Sequence, residues 1–205
     1  TGTPGETYLT KTRAVPVEAW PDAIRFDPVE GAVVFKATRR DGEFVGVQLV
    51  RVTPEGRKIA KDGDRLAKQS YGDFAGAAVR LPGRGDGPIC IAEGPETGAS
   101  IWAATGLETW IALGGVGKAE PIPSRKVIVA RDDDKRDSPA ARAVGRALKA
   151  WREAGIDCAS AWPWAERRGD KSDFNDVLRD LGPDAVLARF TPIIGKPQRI
   201  GRRFV

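Results

Sequence analysis

Two short apolar runs in this 205-residue chain end abruptly in carboxylate. Ile89-Cys90-Ile91-Ala92 leads into Glu93-Gly94, and Val127-Ile128-Val129-Ala130-Arg131 leads into Asp132-Asp133-Asp134. Short β-rich apolar runs of this kind are how buried parallel strands read, and the carboxyl ends of such strands are where open α/β sheets bind ligands. In extended backbone alternate residues share a face, so Asp132 and Asp134 point to one place and Asp133 points away. Two carboxylates that close repel, and one takes up a proton unless a cation sits between them. Mg²⁺ (or Mn²⁺) suits the position, because it needs only one or two carboxylates, keeps waters and takes its remaining ligands from phosphate. The chain has no histidine and only two cysteines, Cys90 and Cys158. That excludes Ser-His-Asp and Cys-His catalysis and the usual zinc site, and leaves acid–base work to Glu, Asp, Lys or bound water. Alone, Glu93-Gly94 reads more readily as a surface turn, and the triplet reads equally as a solvated acidic loop. Their shared sheet edge is what points to metal and phosphate chemistry.

The elements that must position these groups alternate. A helix is expected over 96–105, begun after Pro95 and ended at Gly106. Strands are expected over 109–113, 126–130 and 157–162. Between the last two, Ser138-Pro139 caps a helix that places Ala141, Val144, Leu148 and Trp151 on one face and stops at Gly155. Helices over 173–181 and 184–190 follow. Strand–helix alternation predicts a parallel sheet flanked by helices, an α/β fold. The loop Pro82–Pro88 separates this part from one of different texture. There, strands over 32–37 and 44–52 flank an Asp41-Gly42 hairpin turn, and 57–60 follows a second turn as a third short strand. Residues 1–30 show weak periodicity, with Tyr8-Leu9 docking a short helix or turn. The expected division is a basic antiparallel subdomain over 1–86, a catalytic domain over 87–182, and a terminal helix with a basic tail over 183–205.

The net charge is +5, from 33 basic and 28 acidic residues, which permits a polyanionic partner without demanding one. Distribution says more: Arg39, Arg40, Arg51, Arg57, Lys58, Lys61, Arg65 and Lys68 crowd one third of the chain, and Lys196, Arg199, Arg202 and Arg203 close it. A solvated basic surface and a nucleic-acid contact both fit. Buried thiols imply a reducing compartment, hence a cytoplasmic location. No apolar stretch approaches the roughly 18–20 residues of a bilayer span, so no membrane association is expected. A start at Thr1 with no methionine anywhere reads as a piece of something longer. Gly114-Gly115-Val116-Gly117-Lys118 has the look of a phosphate-binding loop, but Ala112 and Ala119 stand where glycine and Ser/Thr are required, so a glycine-rich turn beside the acidic edge is expected instead. Trp162-Pro163-Trp164 offers rings for base stacking, although aromatics beside a strand more often pack.

The order strand-Glu93-Gly94, then strand-Asp132-x-Asp134, resembles the Toprim domain of DnaG-type primases, topoisomerases and some nucleases and recombination proteins. Gly46–Arg51, Lys58, Gly76–Leu81, Ala92–Thr97 and Lys171–Leu178 extend the likeness to the primase-like Toprim proteins of phages and plasmids, often fused to helicases. The resemblance implies a Rossmann-like Toprim core preceded by a small α+β subdomain, and a DNA primase activity joining nucleoside triphosphates on a single-stranded DNA template. It makes Glu93 the general acid or base, Asp132 and Asp134 the metal pair with Glu93 adjoining, and Lys171, Asp173 and Asp176 a nucleotide-side motif. It places Arg51 and Lys58 near template or nucleotide by position, with Arg65 and Lys68 in the same basic leader. It also implies a helicase or zinc-binding module as partner in the full-length protein. A Toprim-type nuclease and a non-catalytic nucleic-acid-binding module of a replication protein remain open beside it. One departure is Asp137, where the family has glycine.

Overall fold

The computed structural model describes residues 2–17, 19–59 and 66–195. Two sheets organise them. The first is antiparallel, in the order β1 (Ile24–Asp27), β2 (Ala32–Thr38), β3 (Phe44–Arg51) and β4 (Lys68–Gly72). The second has five strands in the order β5 (Val79–Leu81), β7 (Glu108–Ile111), β6 (Ile89–Ala92), β8 (Val127–Ala130) and β9 (Cys158–Ala161). Its four central and right-hand members run parallel, and β5 joins β7 antiparallel at the edge. This is the expected α/β architecture, with the antiparallel sheet leading. β5 precedes the Pro82–Pro88 loop yet belongs to the second sheet.

The apolar runs sort by the period-2 alternation of strands. Ile89, Ile91, Val127 and Val129 face Val144, Ala147, Leu148 and Trp151 of α3 (Pro139–Glu153). Cys90, Ala92, Ile128 and Ala130 face the opposite layer, made by α2 (Pro95–Thr105), α4 (Phe174–Leu181) and α5 (Pro183–Ile194). A strand buried on both faces needs no polar residue, which is why β6 and β8 read as unbroken apolar runs. Both cysteines are buried and free. Gly106 ends α2 in the left-handed conformation at φ 71°, and Ser138 accepts from the Ala141 N–H to start α3.

The antiparallel sheet packs Val33, Phe35, Ala37 and Val50 against Val79, Leu81, Ile111 and Leu113 of the second sheet, with Tyr8 and Leu9 closing the same core. Tyr8 and Leu9 lie in a helical N-terminal turn that begins as α1 (Pro4–Thr7). The sheets also touch through backbone, in a bridge between Thr38 and Ala78. Of the strand expected over 57–60, residue 60 lies outside the described residues and 57–59 form a single bridge, between Val52 and Lys58. Among the described residues no helix is long and apolar enough to cross a membrane.

Candidate functional site

Register fixes where the acids fall. Ile91 of β6 pairs with Val129 of β8, and Ala92 with Ile111 of β7, so Glu93, Arg131 and Ala112 leave the sheet side by side. Ala130 pairs with Ala161 of β9, which brings Trp162 to the same edge. Gly114 and Gly115, at φ 84° and 116°, turn the chain back beside Glu93, and a Cβ on Gly115 would sit 3.9 Å from Glu93 Oε1. The expected glycine turn is therefore present. Val116–Lys118 is only a 3₁₀ turn, with no helix to complete a phosphate-binding loop. Glu93, Gly114–Lys118 and the first turns of α3 line a cleft of about 170 Å³.

The middle aspartate is turned away and buried. Asp133 accepts from Arg167 Nε at 2.8 Å and from the backbone N–H groups of Arg168 and Gly169. Burial alone would raise its pKa, but these donors outweigh it and hold it below the ordinary aspartate value. Its backbone pairs too: Asp133 N–H donates to the Ser172 carbonyl and Lys171 N–H to the Asp133 carbonyl. The triplet and the late motif are thereby one unit. Lys171 itself is exposed and holds φ 66°, a conformation rare for a non-glycine residue.

Asp132, Glu93 and Asp173 are shifted the opposite way. Burial, then the charges of Asp173, Glu93 and Asp134, push Asp132 up to about 7, with Lys68 opposing. Burial and Asp134 likewise raise Glu93. Burial raises Asp173, although it accepts from Thr97 Oγ1 at 2.7 Å and from the N–H groups of Asn175 and Asp176. Asp173 and Asp176 form a capping box that starts α4. Asp132 Oδ1 is buried with no hydrogen-bond partner. Unpaired carboxylate oxygen among mutually repelling acids is the condition a divalent cation relieves. Among the described residues no group of three or more Asp, Glu, Cys or His is arranged to hold a metal ion by itself. Mg²⁺ needs only a pair and fills its shell with water and phosphate, so Asp132 with Asp134 fits it.

Asp137 is exposed; its carbonyl accepts from Arg142, and Ser138 is the helix cap in its place. The basic leader is more buried than its composition implies. Arg51 is 4% exposed, paired with Glu30 at 2.8 Å and bonded to the Leu66 carbonyl and Gln69. Lys68 and Lys58 lie 3.1 and 3.6 Å from Glu96, a buried residue at the start of α2 that also accepts from Tyr8 Oη at 2.9 Å. Burial would raise Glu96, but the two lysines win and hold it at about 2. Arg65 falls outside the described residues. Glu96 and Arg167 escaped sequence reasoning; Glu96 follows Glu93-Gly94-Pro95 directly, which was the available signal.

Residues 88–184 match the family model of the Toprim domain. No protein of curated function matches the sequence. In structure the chain is similar to the DnaG primase catalytic domain bound to ssDNA, at 10% identity over 90% of this chain and 72% of that one, with a TM-score of 0.55. It is similar to a DNA primase domain from Pseudomonas aeruginosa, at 14% identity, 89% and 57% coverage and a TM-score of 0.53. The zinc-binding and RNA polymerase domains of the Aquifex aeolicus primase match at 13% identity, 85% and 43% coverage and a TM-score of 0.52. The chain thus spans about half the length of the latter two proteins.

Proposed function

From the premise that residues 88–184 are a Toprim domain set in a primase-type fold, we propose that this chain is the catalytic core of a DNA primase. Its reaction is template-directed joining of nucleoside triphosphates on single-stranded DNA. The observation that carries the reading is Asp132: a half-buried carboxylate with one orphaned, buried oxygen, raised to about 7 by desolvation and then by the other acids at the carboxyl edge of a parallel sheet. Burying that much like charge costs stability, and a site that cannot relieve it has no reason to keep it.

Asp132 and Asp134 would hold Mg²⁺ or Mn²⁺, which when bound neutralises phosphate charge and brings the triphosphate into reach. Glu93 stands on the neighbouring strand with a proton affinity raised by burial and by Asp134, so it suits the transfer of a proton from the attacking hydroxyl. Asp173, held by Thr97 and the α4 N–H groups, adds its charge to those that oppose ionisation of Asp132. Lys68, whose charge is felt at Asp132, and Lys58 are paired with Glu96 where the antiparallel sheet meets this edge, and they add positive potential there for incoming phosphate. Exposed Lys171 in the late motif is tied to the triplet through its backbone N–H, which donates to the Asp133 carbonyl. In a longer protein a zinc-binding or helicase module would choose the start site, and the work would be cytoplasmic.

The test is a reaction containing single-stranded template, labelled ribonucleotides or deoxynucleotides, and Mg²⁺ or Mn²⁺. Wild type should lengthen product, and Glu93→Gln and Asp132→Asn should not, with their folds intact. Shortened template instead of primer would assign the same acids to cleavage. Template binding without turnover under any of these conditions would make the chain a binding module.

A further inference from the structure

One indole beside the acidic edge carries two guanidinium groups. Arg131 lies between the last residue of β8 and Asp132, and its guanidinium carbon is 4.6 Å from the centroid of Trp162. Arg167 approaches the same ring at 3.9 Å. The arrangement is built into the sheet: Arg131 N–H donates to the Ala161 carbonyl at 2.9 Å, so Arg131 and Trp162 leave neighbouring strands together. A second step continues it, with Arg168 at 3.6 Å from the Trp164 ring.

The two arginines on Trp162 are committed differently. Arg167 is taken up by Asp133 and by the Asp134 carbonyl. Arg131 has one long hydrogen bond among the described residues, 3.3 Å to the Ala141 carbonyl, and enters no ion pair there. A guanidinium has five N–H donors, and one resting on an aromatic ring keeps its planar fork for carboxylate or phosphate. Arg131 is also half-buried, where an unsatisfied charge costs more than at the surface. Asp132 and Asp134 are close enough to be felt by Arg131, yet neither bonds it. Two like charges on one ring, with most donors of the inner one unspent, make a receptor for an oxyanion.

We propose that Arg131, stacked with Arg167 on Trp162, is a phosphate-oxyanion site on the rim of the carboxylate cluster. The inference rests on the reading that this edge handles phosphate esters, and it adds the residue that receives one of them. The oxyanion is either the polyphosphate tail of a nucleotide or the diester backbone of a strand. Trp162 is thus the platform of a guanidinium, a role different from base stacking or plain packing.

The experiment titrates the whole chain, wild type and Arg131→Gln, with inorganic tripolyphosphate and with a fluorescein-labelled oligo-dT. Each is followed by tryptophan fluorescence and anisotropy, with and without MgCl₂. Losing one charge-assisted fork should weaken at least one probe by about tenfold. If the oligonucleotide is affected, its log–log salt slope should also fall by about 1. A loss confined to tripolyphosphate assigns the nucleotide tail, and a loss confined to oligo-dT assigns the strand. Affinities for both probes within about twofold of wild type, or no binding of either probe to wild type, would overturn the site. Should circular dichroism show Arg131→Gln misfolded, Trp162→Leu, which removes the platform and keeps the charge, is judged by the same comparison. Binding is measured without turnover. A wild type that makes no primer but loses phosphate affinity in Arg131→Gln would sink the primase reading and leave this one standing.

Discussion

Replacing Asp132 by asparagine should make the protein more stable while making it inactive. The side chain is half-buried, and desolvation together with the neighbouring acids lifts it from an ordinary 3.8 to about 7. At about 1.4 kcal/mol for each tenfold change in proton affinity, that rise is worth roughly 4 kcal/mol at most. The sign follows from where the proton sits. The folded chain keeps it up to about pH 7, whereas the unfolded chain gives it up near pH 3.8, so between these values the unfolded state binds fewer protons. Stability from this group is therefore full below about pH 4, falls as pH rises, and levels off above about pH 7. Asparagine removes the penalty. The stability difference between variant and wild type should widen by about 2–3 kcal/mol from pH 4 to pH 8, allowing for water entering the site. Urea unfolding at both pH values, without divalent cation, measures it. Adding Mg²⁺ at pH 8 should then raise the midpoint of wild type and leave that of Asp132→Asn nearly unmoved. A difference that stays flat with pH, or narrows, would refute the claim that desolvation and repulsion at this edge are stored in Asp132.

Three other outcomes follow from contacts around this edge. Glu96→Gln leaves Lys58 and Lys68 half-buried without their partner and should cost about 3 kcal/mol by denaturant titration. Because the native carboxylate titrates at about 2, that contribution is complete above about pH 4.5 and disappears as pH falls toward 2, so the variant and wild type should converge in acid. Asp133→Asn should loosen the loop that follows β9, cost about 3 kcal/mol, and lower activity without touching substrate; hydrogen exchange at Arg168 and Gly169 reports it directly. Gly98→Ala drives a Cβ to 2.4 Å from Ile111 Cγ1, which should cost about 1–3 kcal/mol in thermal melts and shift α2, and Glu93 with it, away from β7.

What the sequence revealed and what it hid divide along range. Strands β6 and β8, the caps at Ser138 and Gly106 and the helix started by Asp173 were legible because each depends on neighbours a few residues away. β4 was not, since Lys68-Gln69-Ser70-Tyr71-Gly72 is a polar, exposed edge whose only reason to extend is its ladder with β3. β5 is three residues long and is held by Trp110 and its neighbours on β7. The inward turn of Asp133 agreed with strand alternation, but its capture by Arg167, 34 positions later, left no trace in local pattern. The basic leader misled by composition. Arg51 and Lys68 count toward net charge, yet each is bound by an acid that folding alone brings near.

The seam between the two sheets decides how this protein can be rearranged. Thr38 holds Ala78 through backbone, Tyr8 and Lys68 hold Glu96, and Arg13 reaches Asn175 at the start of α4. Every one of these joins the antiparallel sheet or its N-terminal segment to the second sheet and its helices, and three of the four arrive within a few residues of Glu93 or Asp173. Parting the leader from the sheet would leave Lys58 and Lys68 without Glu96 and Glu96 without its lysines, so the leader and the carboxylate edge hold together as one structural unit.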